Sequence, residues 1–294
     1  MPAQEIVGPA SSYYVSQRLK LHFADWGNEE KPPLLLVHGG RDHARSWDWV
    51  ARALREDYHV IAPDLRGHGD SAWSIGGQYT VPEYVLDLDQ LIEVLGLAPV
   101  RIVAHSLGAA VSLFYGGVFP DKLSKLVAVE GMGPPDEVRE RFEGKEIWEL
   151  TSQWIDVVRK GSRRQPRRYP SIDEAAARMQ SENLHLSPEQ ARHLTVHGVA
   201  RNEDGTFSWK FDNGARAFFP QRMPTGTMER LWERVACPTL LVHGSESWHG
   251  DPSRDGRASH LPDAAILELE EAGHWVHHDQ LDLFLSAIRE FLRD

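Results

Sequence analysis

Short apolar runs alternate along the chain with segments whose apolar residues recur every three or four positions. The runs hold four to six residues each and are rich in Val, Leu and Ile; they span residues 34–37, 59–62, 101–105, 126–130, 239–243 and 266–269. Runs of this length predict strands that are buried on both faces. Their alternation with helical segments predicts a mostly parallel central sheet flanked by helices, and residues 13–23 predict an antiparallel hairpin or an edge strand leading into it.

Two of the helical segments have recognisable ends. Thr80 and Glu83 have the spacing of a capping box, and Gly96 follows an apolar face made of Tyr84, Val85, Leu88, Leu91, Ile92 and Leu95. This pattern predicts a helix that begins after Thr80 and ends before Gly96. A similar apolar face predicts the last helix of the chain; it consists of Leu281, Phe284, Leu285, Ile288, Phe291 and Leu292.

The alternation stops between about residues 132 and 228. Inside this stretch the pattern predicts helices at 147–158, 172–180 and 188–196, followed by a hairpin through Asp204-Gly205. Because strand–helix alternation resumes at Pro238, we expect a mainly helical cap domain (132–227) inserted after the sixth strand of a core domain (1–131 and 228–294). The basic run at 160–168 is interpreted as a solvated connection, since one charge run seldom marks a ligand site.

Composition narrows the class of protein. With 294 residues, 32 basic and 43 acidic side chains, the net charge is −11, which argues against nucleic acid or an anionic membrane as the main partner. The single cysteine, Cys237, excludes a disulfide framework and a multi-cysteine zinc site. Neither a signal-peptide pattern nor a membrane-spanning apolar run is visible, so the sequence predicts a cytoplasmic globular protein. No cofactor or metal is expected, and the oligomeric state stays open.

The strongest chemical signal is the segment 101–110, RIVAHSLGAA. An apolar strand runs into Ser106, and a helical pattern follows it. A serine held at a sharp strand-to-helix turn requires small residues two places before and after it, and here these are Ala104 and Gly108. This spacing predicts a nucleophilic serine.

A serine hydroxyl needs a base to accept its proton. The segment Gly273-His274-Trp275 follows the last predicted strand, which places His274 at the same carboxyl-end edge of the sheet as Ser106. The competing histidines are His243, His249, His277 and His278. We expect the last two of these at the surface, where they open the final helix.

Together with His38-Gly39-Gly40 after the third strand and the segment 64–71, DLRGHGDS, after the fourth, these motifs resemble α/β-hydrolase-fold serine hydrolases with an inserted cap domain, of the esterase or lactonase type. The resemblance covers nearly the whole chain. It implies that the backbone amides of Gly40 and Leu107 form the oxyanion hole, and that the protein needs no metal or cofactor.

The acid that orients the histidine departs from the family's commonest pattern. Most relatives have an aspartate three residues after the glycine that ends the penultimate strand, and here that position is Ser247. Three acids are candidates for the role: Glu130 at the end of the sixth strand, Glu246, and Asp251. Glu130 is favoured because a strand-end carboxylate is rigidly held. Its place is similar to the relocated acid of some haloalkane dehalogenases and of zearalenone lactonases. Glu246 is kept as the alternative.

We therefore expect a serine hydrolase that cleaves carboxylic esters or lactones through an acyl-enzyme on Ser106. The alternatives are a carbon–carbon bond hydrolase of ring-cleavage products and a poorly catalytic, ligand-binding member of the fold. The partner is expected to be a small hydrophobic substrate. Aromatic residues of the insertion are candidates for lining its pocket, although most are expected to serve packing; they are Trp148, Trp154, Phe207, Trp209, Phe211, Phe218 and Phe219.

Overall fold

A mostly parallel eight-stranded sheet forms the centre of the computed structural model, which describes residues 8–76, 79–133, 144–216 and 226–293. Its strands are β1 (Ala10–Ser16), β2 (Leu19–Asp25), β3 (Pro33–Val37), β4 (His59–Pro63), β5 (Val100–His105), β6 (Leu123–Val129), β9 (Thr239–Gly244) and β10 (Ala264–Leu269). Their order is β1-β2-β4-β3-β5-β6-β9-β10. Strands β1 and β2 pair antiparallel, β2 pairs antiparallel with β4, and the remaining pairs are parallel. The predicted sheet and its leading hairpin are confirmed.

Helices cover both faces of this sheet. On one face, α2 (Val81–Leu95) and α3 (Leu107–Val118) pack against alternate strand residues such as Leu35 and Ile102. On the other face, α1 (Asp48–Leu54) and the last helix (Leu281–Leu292) pack against the residues in between. This two-sided burial explains why the strand sequences are apolar at successive positions.

The capping box predicted at the start of α2 is present, with Thr80 N donating to Glu83 Oε2 at 3.0 Å. Gly96 follows the helix in the left-handed conformation, with φ 65°. The prediction that residues 266–269 are buried on both faces is wrong. Strand β10 is last in the sheet order, where among the described strands it pairs with β9 alone, and Ile266 on this edge strand is 41% exposed.

The segment between β6 and β9 contains the helices and the hairpin that the sequence predicts. Its elements are α4 (Ile147–Ser162), α5 (Ile172–Glu182), α6 (Pro188–Gly198), β7 (Val199–Arg201), β8 (Phe207–Trp209) and α7 (Thr227–Trp232). Helix α6 contacts the core, where His43 Nε2 donates to Leu194 O and Gln190 Nε2 donates to His278 O, both at 2.9 Å. The inserted segment is therefore docked on the core rather than tethered beside it.

The chain continues after β10 with two helical segments. The first is a single turn, α8 (Val276–Asp279), and the second is the last helix, α9 (Leu281–Leu292). Within the described part of the chain, no helix combines the length and apolarity needed to cross a bilayer.

Candidate active site

Ser106 stands at a sharp turn between β5 and α3. Its backbone has φ 50° and ψ −114°, a conformation that L residues rarely adopt. A Cβ at Gly108 would lie 2.5 Å from the carbonyl oxygens of Val37 and His38, so the end of β3 leaves room there for glycine alone. Ala104 is likewise fully buried. The close approach of β3 to the turn thus requires glycine at position 108, and the small side chain of Ala104 is fully enclosed.

The His38-Gly39-Gly40 turn lies directly against this serine. A Cβ at Gly39 would lie 3.1 Å from Ser106 Cβ and 2.7 Å from His105 Nδ1. Buried His38 holds the turn, because its Nε2 accepts from Leu65 N–H at 2.9 Å and its Nδ1 donates to Gly39 O at 2.7 Å. Burial lowers the pKa of His38 to about 3, so the ring is neutral and can accept and donate at once.

The two amides predicted to form an oxyanion hole belong to these adjoining backbone segments. Leu107 is the first residue of α3, and the N–H of a first helical residue has no acceptor within its own helix. Gly40 immediately follows Gly39 and is exposed. Their assignment as oxyanion donors stays a prediction.

His274 lies beside the serine, in the loop between β10 and α8. Its Nε2 is 3.0 Å from Ser106 Oγ, a hydrogen-bond distance. The side chain is 22% exposed, so one edge of the ring faces open space. His105 Nε2 donates to the His274 carbonyl oxygen at 2.8 Å, and this bond ties the loop to the end of β5.

Glu130 follows β6 directly and is buried. Its Oε2 lies 3.3 Å from His274 Nδ1, and its Oε1 accepts from Gly244 N–H at 2.8 Å. The backbone N–H of Glu130 donates to Val242 O at 3.0 Å, while φ is 55°. The carboxylate is thus aimed at His274 by the ends of two neighbouring strands, β6 and β9.

The other two candidate acids are engaged elsewhere. The Glu246 side chain is 55% exposed, and its Oε2 lies 3.5 Å from His185 Nε2. Asp251 accepts from Ser253 and lies 3.6 Å from His243. Among the described residues, the structure therefore brings Glu130 to His274, and neither Glu246 nor Asp251.

The sequence analysis did not predict the hydrogen bond between Ser247 and Glu130. Its hydroxyl donates to Glu130 Oε2 at 2.6 Å, although this residue occupies the position where an acid was expected. The signal that could have pointed to it is its spacing, three residues after Gly244 at the end of β9.

The expectation that His277 and His278 lie at the surface is wrong. Their exposed fractions are 1% and 5%, because the single turn α8 packs them against the rings of Trp49 and His105 as well as Trp47. The His277 ring stacks on Trp47 with 4.3 Å between ring centroids. Burial, with His193 and His43 nearby, lowers the pKa of His278 to about 3, so this ring is neutral.

Several aromatic side chains that the sequence singled out, together with Trp248, can now be placed. Trp209 and Phe211 of the insertion line a small cavity next to residues 41–43, which follow the His-Gly-Gly turn. Trp248 is 67% exposed, and its ring centroid is 5.0 Å from that of His274. Trp148, by contrast, is 67% exposed on α4, and Phe218 and Phe219 lie outside the described residues.

Side chains that could ligate a metal form clusters elsewhere in the described residues. Across residues 8–76, 79–133, 144–216 and 226–293, three groups place possible ligand atoms within 4.8 Å of one another: Asp48 with His193 and His197, His22 with Asp64 and Asp70, and His243 with Asp251 and Glu268. In the first group Arg45 already binds both oxygens of Asp48, and in the second Asp64 accepts from His22. Ser106, His274 and Glu130 belong to none of these groups.

The fold and the site define a hydrolase class, and comparison with known proteins agrees. Residues 34–287 match the alpha/beta hydrolase family. The chain therefore belongs to the alpha/beta hydrolase family, and the fold class expected from the sequence is confirmed.

Relatives of this chain include named enzymes. It is 27% identical to the sn-1-specific diacylglycerol lipase ABHD11 of Mus musculus, over 90% of this chain and 82% of the relative. It is 26% identical to Esterase Rv0045c of Mycobacterium tuberculosis, over 91% and 84%. Among solved structures, a thioesterase domain from the curacin biosynthetic pathway superposes with a TM-score of 0.84 and 24% identity, covering 96% of this chain and 99% of that domain. This last likeness shows the fold alone.

Proposed function

We propose that this protein is a serine hydrolase that cleaves carboxylic esters or lactones through an acyl-enzyme on Ser106. The observation that carries the proposal is the chain of contacts from Ser106 Oγ to His274 Nε2 at 3.0 Å and from His274 Nδ1 to Glu130 Oε2 at 3.3 Å. A serine hydroxyl in such a chain can lose its proton as it attacks a carbonyl carbon.

Ser106, His274 and Glu130 then have distinct roles as nucleophile, base and orienting acid. Ser106 Oγ attacks the carbonyl carbon, and His274 Nε2 takes the hydroxyl proton. The Glu130 carboxylate accepts the Nδ1–H, which keeps Nε2 free to act as the base and stabilises the imidazolium that forms. His274 next gives its proton to the leaving alcohol oxygen. Water, deprotonated by His274 in turn, hydrolyses the acyl-enzyme and restores Ser106.

Negative charge develops on the carbonyl oxygen during both steps. The backbone N–H groups of Leu107 and Gly40 are the donors proposed to receive it. The close packing of the Gly39 turn against Ser106 supports this assignment, because donors fixed beforehand need no reorganisation during the reaction. Loss of one such donor raises the barrier by roughly 3–4 kcal/mol in other hydrolases.

The inserted segment is proposed to act as the cap that covers the substrate. Support comes from its position, since α6 is bound to residues 43–48 of the core, and Trp209 and Phe211 lie beside the loop at 41–43 that follows the His-Gly-Gly turn. The exposed Trp248 ring beside His274 offers an apolar surface that favours a hydrophobic acyl or alcohol group. The names of the relatives, an esterase and a diacylglycerol lipase, support an ester rather than a carbon–carbon bond as the target.

The test is covalent labelling with a fluorophosphonate probe, followed by peptide mass spectrometry. We expect a single adduct on Ser106 in the wild type and none in Ser106→Ala, which serves as the matched control. A panel of p-nitrophenyl esters and lactones should then be hydrolysed by the wild type alone. A folded protein that takes up no probe would overturn the proposal and favour a ligand-binding role. Labelling with turnover only of a vinylogous diketo acid would favour carbon–carbon bond hydrolysis.

A further inference from the structure

Two donors from the segment that ends β9 bind the Glu130 carboxylate. Gly244 N–H donates to Oε1 at 2.8 Å, and Ser247 Oγ donates to Oε2 at 2.6 Å. Oε2 is also the oxygen that faces His274 Nδ1. Ser247 Oγ and Nδ1 of His274, the proposed base, therefore meet the same oxygen of Glu130.

The direction of the Ser247 hydroxyl proton follows from its neighbours. Ser247 Oγ accepts from His249 N–H at 3.2 Å, and an ionised carboxylate can only accept. The hydroxyl proton consequently points to Glu130. A distance of 2.6 Å is typical of a hydroxyl bound to a charged carboxylate, which is among the stronger hydrogen bonds in proteins.

The loop holds this serine in place. Ser247 N–H donates to Gly244 O at 3.1 Å, which closes a tight turn directly after β9. A Cβ at Gly244 would lie 2.3 Å from Ala272 O, so the turn also packs closely on the backbone that leads to His274. The serine, the carboxylate and the histidine are thus set by the same pair of strand ends.

From these contacts we propose, on the basis of the proposed function, that Ser247 is a positioning residue for the reaction. Its hydroxyl fixes Oε2 of Glu130 so that this oxygen meets His274 Nδ1. It acts through Glu130, since its hydrogen bonds run to Glu130 and to its own loop. Because Ser247 Oγ and His274 Nδ1 both meet Oε2 of Glu130, position 247 is also a candidate place for the acid itself.

The first experiment compares Ser247→Ala, Ser247→Thr and the control Ser245→Ala in ester hydrolysis. Ser245 lies in the same loop but is exposed, and its hydroxyl accepts from Glu271 N–H instead. For Ser247→Ala we expect a fall in kcat of about tenfold to a hundredfold, the range of one charge-assisted hydrogen bond, with KM within about twofold. The threonine variant keeps the hydroxyl and should recover most of the loss, and Ser245→Ala should match the wild type.

The second experiment moves the acid. Ser247→Asp alone places two carboxylates at one site, and the repulsion should lower kcat. Glu130→Gln alone removes the acid. When both changes are combined, the introduced aspartate accepts from His274 while the introduced glutamine amide replaces the lost donor, so kcat should exceed that of Glu130→Gln by at least about tenfold. Two harmful changes that compensate each other demonstrate direct coupling of the two positions.

The outcomes separate this inference from the proposed function. If the wild type is labelled and hydrolyses esters while Ser247→Ala keeps its kcat within about twofold, the positioning role is refuted and the function stands. A threonine variant as slow as the alanine variant, or a double variant no faster than Glu130→Gln, refutes it equally. If the wild type takes up no probe, the function and the inference fall together. Circular dichroism and thermal melting of each variant identify any loss that comes from misfolding.

Discussion

Replacing Glu130 by glutamine tests the proposed acid at nearly constant volume. In the wild type, Oε1 accepts from Gly244 N–H, and Oε2 accepts from Ser247 and faces His274 Nδ1. Glutamine keeps one acceptor for Gly244 and presents an NH₂ group where Oε2 was. That group is a donor and faces Nδ1, so the neutral imidazole is driven to carry its proton on Nε2. An Nε2–H cannot accept the proton of Ser106.

The expected size of the effect follows from this wrong tautomer. Loss of the orienting acid lowers kcat by roughly 10⁴ in serine hydrolases of the same logic, which is about 5.5 kcal/mol on the barrier. The matched control is Glu246→Gln, because Glu246 is 55% exposed and pairs at 3.5 Å with His185, which is itself 40% exposed. We expect that variant to stay within about twofold of the wild type.

The assay is the initial rate of p-nitrophenyl ester hydrolysis, with the rate of fluorophosphonate labelling measured in parallel. Both rates depend on the deprotonation of Ser106, so both should fall together in Glu130→Gln. A Glu130→Gln variant within about tenfold of the wild type would refute the assignment of the acid. A Glu246→Gln variant that is equally impaired would transfer the role to Glu246.

Three further predictions concern the stability of the site's frame. Gly108→Ala should lower the free energy of unfolding in urea by about 1–3 kcal/mol, because its Cβ would lie 2.5 Å from Val37 O. Gly161→Ala on α4, where a Cβ meets open space, should change it by less than about 1 kcal/mol, and equal effects would contradict the packing argument. The folded pKa values of His38 and His278 are about 3, below the unfolded value of about 6.5, so the folded protein loses stability as pH falls below about 6.5. The loss should be about 2 kcal/mol for each histidine between pH 7 and pH 5. Urea titrations at both pH values check this, and equal free energies of unfolding at the two would disprove it. Replacing His278 by phenylalanine should remove its share of this pH dependence, measured in the same titrations.

Much of the fold could be predicted because the spacing of apolar residues in a single sequence reflects which faces of strands and helices are buried. The apolar runs at β3 to β6 and at β9 reflect strands covered on both faces, and the apolar stripe of α2 reflects a helix on one face. Strand β10 was misjudged on burial, since an edge strand can keep the same residue types while Ile266 stays exposed. Position in the sheet order is a long-range property that the local pattern does not carry.

In the site, too, residues that belong to local motifs could be predicted, whereas those that depend on long-range contacts could not. Ser106 and His274 lie in short motifs that can be recognised in the sequence, and the tight packing at position 108 shows there as a glycine two residues after the serine. The hydrogen bond of Ser247 could not be predicted from a local motif, because its partner Glu130 is 117 positions away in the chain. Burial of His277 also escaped prediction, since histidine is polar by type and becomes a packing residue only when its ring is kept neutral.

Ser106 and Glu130 share a backbone feature that bears on the evolution of this protein. Both are non-glycine residues with positive φ, 50° and 55°. Such conformations typically cost about 1–3 kcal/mol each, and the surrounding strands must supply that energy. Glycine at position 106 would relieve the strain but remove the proposed nucleophile, and glycine at position 130 would remove the proposed acid. The same relief is open at other positive-φ residues such as Arg18 and Glu271, to which no catalytic role is assigned. A laboratory selection for heat resistance that also demands activity should therefore accept glycine at those positions and reject it at Ser106 and Glu130.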